Sequence, residues 1–286
     1  MIRLVFSVFL LFPILLMAQE PDSTSALSGM LESERSFSRA SAMNGTRDAF
    51  AEYLDEFSVI FTSQWITNGK EVWSKRAPSP RILKWEPEYM DISLSRDFGV
   101  STGPWEAQEY RPNTSPVGTG YFLSVWAVGE DGKWKVKLDA GISCPPPPDE
   151  KKHLFSFPEG DDKPVLDPPR QKYDAKILID EESEMLGTWK KNPSFSTWSS
   201  FLEKDARIMR NGHLPSQDRD TLRKWISEVG NMLTWEALGS AVASSADLAC
   251  TYGIAEAQGK KGNFVRIWRK NAEGQWKITI DMFNID

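Results

Sequence analysis

Two stretches of this chain repeat each other. The segment from Leu83 to Gln108 lies without a gap on Leu233 to Gln258 at an offset of 150. Trp85, Glu86, Asp97, Gly103, Glu106, Ala107 and Gln108 recur there as Trp235, Glu236, Asp247, Gly253, Glu256, Ala257 and Gln258. Farther on, Gly120, Phe122, Trp126, Gly132, Trp134, Lys135 and Asp139 recur as Gly262, Phe264, Trp268, Gly274, Trp276, Lys277 and Asp281, now at an offset of 142. A single deletion in the loop from Glu109 to Thr119 accounts for the change. Tryptophans repeated at matching places need common descent, so the chain is expected to build one unit twice. A length of 286 residues suits two domains.

The boundaries follow from composition. Residues 1–18 carry one early cation, an apolar run from Leu4 to Met17 and a small residue, Ala18, which together read as a secretory signal peptide. The expected location is therefore exported, periplasmic or extracellular. The run is too short for a stable membrane span, and no later segment offers one. Copy one is placed at residues 26–143 and copy two at 176–286, with a proline-rich, extended linker over 144–175. Hydrophobic residues at 40% and charged residues at 26% suffice for two cores. A net charge of -6 without a clustered basic face argues against a nucleic-acid partner. Cys144 and Cys250 are the two cysteines; a bridge between them and two buried free thiols are both open readings, the second preferred because Cys250 sits in an apolar run.

Periodicity supplies the elements. Leu27, Met30, Leu31, Phe37 and Ala40 fall at helical spacing, Asn44-Gly45 suits a helix end, and Thr46 suits the N-cap of a second helix carrying Ala49, Phe50, Tyr53, Leu54 and Phe57. A strand is expected at Ser58 to Thr62 and a short helix at Lys70 to Ser74. Copy two repeats the order with helices at Glu182 to Lys191 and Phe195 to Glu203, a strand at Ala206 to Met209 and a third helix through Leu222, Trp225, Ile226 and Val229. The rest of each copy alternates with period two; Trp134, Val136 and Leu138 point one way and Lys135, Lys137 and Asp139 the other. By this alternation Asp139 and Asp281 should be exposed. The class is α+β, with helices first and antiparallel strands after.

That order, ending in G-x-F-x-x-x-W, a turn and W-K-[VI]-x-[LI]-D, resembles the nuclear transport factor 2-like superfamily, in particular its SnoaL-like branch and exported domains of unknown function. The resemblance implies two tandem cone-shaped domains, each with N-terminal helices packed on a curved antiparallel sheet and a pocket at the open end. It also implies pairing through sheet faces, between the two copies or in a homo-oligomer. Some members are isomerases, cyclases or dehydratases that use a pocket aspartate.

The catalytic candidates are in copy two: Asp205, whose copy-one equivalent is Phe57, with His213, Tyr252 and Glu256. Each also has a plain structural reading, as a solvated loop or strand end or a structural ion pair. The ligand-binding candidates are Trp65, Trp105 and Glu106. Trp65, Trp73 and Trp105 find no tryptophan at the matching place in copy two, whereas Trp85, Trp126 and Trp134 recur and read as packing. His153 and His213 are the two histidines. They leave no metal-ligand cluster, and no phosphate-binding loop or other cofactor motif is present. Two functions remain: a non-catalytic exported binding or scaffold protein with a small apolar ligand, or a SnoaL-like enzyme with copy two active.

Overall fold

A computed structural model describes residues 23–62, 65–109, 116–147 and 176–285, without the side chains of 23–25 and 65. The leader, His153 with most of the linker, and the tip of the loop after Glu109 lie outside these residues.

In copy one α1 (Ser23–Asn44) buries a stripe of Met30, Glu34, Phe37 and Ser41. These positions are four, three and four apart, so they share a helix face. Gly45 ends the run at φ 96°, a conformation that favours glycine, and α2 (Thr46–Tyr53) begins at once. Thr46 is thus inside α2 and is not its N-cap; its hydroxyl meets Ser41 and accepts the Leu83 N–H at 2.9 Å. There follow β1 (Leu54–Thr62), β2 (Trp65–Asn68) and α3 (Gly69–Lys75), which Asn68 caps by accepting the Glu71 N–H. The sheet is completed by β3 (Arg81–Trp85), β4 (Tyr89–Ile92), β5 (Phe98–Glu109), β6 (Gly118–Val128) and β7 (Trp134–Ser143), in the order β2-β1-β7-β6-β5-β3 with β4 also on β5.

Copy two has α4 (Lys176–Lys191), α5 (Phe195–Phe201), β8 (Leu202–Arg210), α6 (Arg219–Val229), β9 (Thr234–Val242), β10 (Leu248–Ala257), β11 (Lys260–Lys270) and β12 (Trp276–Ile285), in the order β8-β12-β11-β10-β9. Its first helix buries Leu178, Glu182, Met185 and Trp189 at the spacing of the α1 stripe. The turns of the last hairpins place Gly132 and Gly274 at the same φ of 75°. The class is α+β, as expected, but the sheets are mixed. β1 runs parallel to β7, and β8 parallel to β12. Alternation along a strand reports its faces and says nothing about its partner's direction, so the sequence pattern could not show this.

The two sheets share one buried cluster. Phe98, Val100, Leu123, Val125 and Leu138 of copy one lie in it with Met209, Val265, Ile267, Ile280 and Met282 of copy two. The contacts at its edge are reciprocal. The Ser95 N–H donates to Ser245 Oγ at 3.0 Å and the Ser245 N–H to Ser95 Oγ at 3.1 Å. Asp97 accepts from the Ser244 hydroxyl, and Asp247 accepts from the Leu94 N–H at 3.1 Å. Residue i meeting the equivalent of its partner is the signature of an approximate two-fold axis. Arg269 crosses the same boundary to Asp91. Both cysteines are free and buried in the shared cluster, where burial pushes the Cys144 thiol up to about 11 and the Cys250 thiol up to about 12.

Candidate functional site

The copies differ most inside their cones. In copy two the space between helices and sheet is filled. Arg266, fully buried on β11, forms ion pairs with Glu182 of α4 and, through Nε at 2.9 Å, with Asp281 of β12. Arg210 of β8 reaches Asp281 Oδ2 at 2.5 Å. Trp198 donates to the same carboxylate at 3.0 Å, and Trp235 and Thr251 donate to Glu182. The Arg266 guanidinium is surrounded by rings: 5.2 Å from the centroid of Trp198, 4.7 Å from Trp235, and 5.1 Å from both Phe264 and Phe283. Burial raises Asp281, but the two guanidiniums outweigh it and hold the carboxyl below its usual range. Asp281 is fully buried, so the expectation that it is exposed is corrected: its strand face looks into the cone, where a charged group is tolerated because it is paired.

Copy one keeps the acids and lacks the cation. Glu34 stands where Glu182 stands, and accepts from Trp85 Nε1 at 2.6 Å, Trp126 Nε1 at 2.8 Å and the Ser101 hydroxyl. Asp139 stands where Asp281 stands. The position of Arg266 is Ser124, which donates to Asp139 at 2.8 Å. Among the described residues no lysine or arginine forms an ion pair with Glu34 or Asp139. In the missing arginine's place is a cavity of about 470 Å³, with Asp139 and Ser124 on its wall beside Phe50, Trp85, Trp105 and Phe122. Asp139 is half-buried and open to the cavity, and it too is not the exposed residue that alternation suggested. Burial pushes it up to about 7, the Ser124 hydroxyl lowers it, and the negative charge of Glu34 adds to the rise. Glu34 is raised by its own burial, against the hydrogen bonds it accepts.

Backbone pairing enlarges the same cavity. In copy two β8 follows β12 as far as Met282↔Met209 and Phe283↔Arg210. In copy one the equivalent pairing stops at Ile60↔Asp139, so Ala140 and Gly141 have no β1 partner. Copy two serves the freed edge of β7: Asn284 donates to the Gly141 carbonyl at 2.8 Å, Asn211 accepts the Ser143 N–H at 2.9 Å, and the Gly212 N–H donates to Ser143 at 2.7 Å. Lys261, Asn263 and Asn284 of copy two thereby line the cavity together with copy-one residues. Asn263 is 7% exposed and its Oδ1 accepts no hydrogen bond from the protein.

Trp105 belongs to this pocket, as one of the ligand-binding candidates. Its ring lies along Gly118, Gly120 and Gly141; a Cβ at Gly120 would come within 2.7 Å of it. The copies have exchanged ring positions here: Trp105 and Gly141 of copy one are Ala255 and Phe283 in copy two. Glu106 is half-buried and accepts from Gln108 at 2.6 Å, outside the pocket lining. Trp65 is a β2 residue whose side chain lies outside the described residues. Trp73 does have a counterpart, displaced in sequence: it stands 4.3 Å from Phe50, under Arg76 at 4.0 Å, as Trp225 stands 5.7 Å from Trp198, under Arg210 at 4.0 Å.

The four catalytic candidates are not brought together. Asp205 is exposed on β8 and His213 exposed in the loop after it. Tyr252 packs against Phe61 and Gly239 on the face toward copy one. Glu256 is half-buried on β10 opposite Lys261. No hydrogen bond joins any two of them among the described residues. Sequence reasoning missed Glu34 and Glu182. Their signal was an acid inside an apolar helical stripe at the same place in both copies.

No family model and no curated protein matches this sequence. Solved structures do resemble part of it. A ketosteroid isomerase-like protein from Erwinia carotovora atroseptica is 16% identical over 40% of this chain and 97% of its own, with a TM-score of 0.33. An NTF2-like protein of unknown function from Methylobacillus flagellatus is 18% identical over 40% of this chain and 96% of its own, with a TM-score of 0.34. A putative ketosteroid isomerase from Parabacteroides distasonis is 14% identical over 40% and 89%, with a TM-score of 0.32.

Proposed function

We propose that this chain is a binding protein with one working pocket, in copy one, for a small molecule with an apolar body, and that copy two is its built-in partner. The observation that carries this reading is the contrast between two equivalent interiors. Copy two fills its cone with Trp198, Trp225, Phe283 and a paired arginine network, while copy one leaves about 470 Å³ walled by aromatic rings. A cavity of this size, mostly apolar with a few polar groups, suits a drug-sized or smaller ligand. Copy two stabilises the open copy through the shared cluster and serves the β7 edge that β1 leaves.

Calorimetric titration of the full chain with 2-naphthylmethanol, a neutral arene, tests the reading. One molecule should bind per chain, and Trp105→Ala should weaken it severalfold. Two equivalent sites, or none up to millimolar concentration, would refute the proposal. The four copy-two candidates supply no site for the enzyme reading as first framed. Asp139, a carboxyl poised near neutrality over the pocket, is the group that proton transfer there would use.

A further inference from the structure

Copy two supplies a template for what copy one lacks. The groups around the Arg266 guanidinium are two carboxylates, Glu182 and Asp281, and the rings of Trp198, Trp235, Phe264 and Phe283. At the equivalent places copy one has Glu34, Asp139, Phe50, Trp85 and Phe122, with Trp105 lying over Gly141 in place of Phe283. All but Glu34 line the cavity. Rings and carboxylates arranged about one point attract a positive charge, through the ring quadrupoles and by Coulomb attraction. In copy two the protein provides that charge itself. In copy one the residue at that point is Ser124.

We propose that the copy-one pocket takes a small organic cation, an amine or guanidine on an apolar body, whose positive group stands where the Arg266 guanidinium stands in copy two. This rests on the reading of the pocket as a binding site. The Asn263 carboxamide lines the same cavity from copy two. The cations on the lining, Arg76 and Lys261, are both exposed, so they leave the acids within uncompensated.

The experiment is titration of the full chain at pH 8 with three probes of one shape: 2-naphthylmethylamine, 2-naphthylmethanol and 2-naphthoate. The amine should bind at least tenfold more tightly than the alcohol, and naphthoate most weakly. Asp139→Asn should erase the preference, so that within this variant the amine binds no more than about twofold more tightly than the alcohol. Ser124→Arg should restore the copy-two arrangement, raise the melting temperature and abolish amine binding; should that variant not fold, Asp139→Asn decides. Equal affinity for amine and alcohol, tighter binding of naphthoate, or an amine affinity untouched by both substitutions overturns the cation while leaving the pocket. Absence of binding by all three probes overturns the pocket as well.

Discussion

Asp139 and Asp281 occupy one position in two copies, and their surroundings give them opposite behaviour. Asp281 is held ionised by Arg210 and Arg266. Asp139 is raised to about 7, and Glu34 is raised beside it. A carboxyl raised in the folded state stabilises the fold fully below its unfolded value, about 4, and loses that contribution as pH climbs through 7. Stability should therefore fall between about pH 4 and pH 8, by at most about 1.4 kcal/mol per pH unit for each group. Glu34 contributes with the same sign. Asp139→Asn should flatten the profile and, at pH 8, stabilise the chain by about 1 to 3 kcal/mol, discounted because the carboxyl is open to the cavity. Urea unfolding across pH measures both. In copy two, Arg266→Met should cost about 3 to 5 kcal/mol, since it strands Glu182 and leaves Asp281 with Arg210 as its one guanidinium.

At the scale of elements, the difference between the copies lies in how far two strands stay together. β8 pairs with β12 to its end, whereas β1 leaves β7 after Asp139. Phe283, fully packed among Trp198, Trp235 and Phe264, closes copy two, so Phe283→Ala should cost about 3 to 5 kcal/mol. Trp105→Ala should cost less, about 1 to 2 kcal/mol, because one face of that ring already meets a cavity. Thermal or denaturant unfolding of the two variants compares them. Helices, hairpins and the repeat were legible because periodicity and turn glycines are local: Gly132 and Gly274 sit at the turns their sequence requires. The parallel pairing of β1 was not, because direction depends on a path through the helices. The site was half legible. Trp105 stood out as a place where the copies diverge, but the substitution of Ser124 for Arg266 lay inside an aligned block dominated by its conserved tryptophans. Asp139 was misread because an irregularity between Val136 and Leu138 breaks the alternation: Val136 packs with the helices of its own copy and Leu138 in the cluster shared with copy two, so Asp139 turns into the cone.

For the whole molecule, the shared cluster makes the copies mechanically dependent. Met209, Val265 and Ile280 of one sheet are buried in one cluster with Val100, Leu123 and Val125 of the other. The chain should therefore unfold in one calorimetric transition, and Val265→Asp, which puts a charge into that cluster, should lower the stability of both copies together. Two resolved transitions would show that each copy stands alone. Among the described residues no helix is long and apolar enough to cross a membrane, and no group of three His, Cys, Asp or Glu could hold a metal.

The asymmetry between the two interiors is the central claim, and a crystal of the full chain soaked with 3-iodobenzyl alcohol tests it most directly. The iodine's anomalous signal should appear once per chain, between Trp85, Trp105 and Phe122, with none inside copy two. A peak among Trp198, Trp235 and Phe283, or no peak in either cone, would contradict the account.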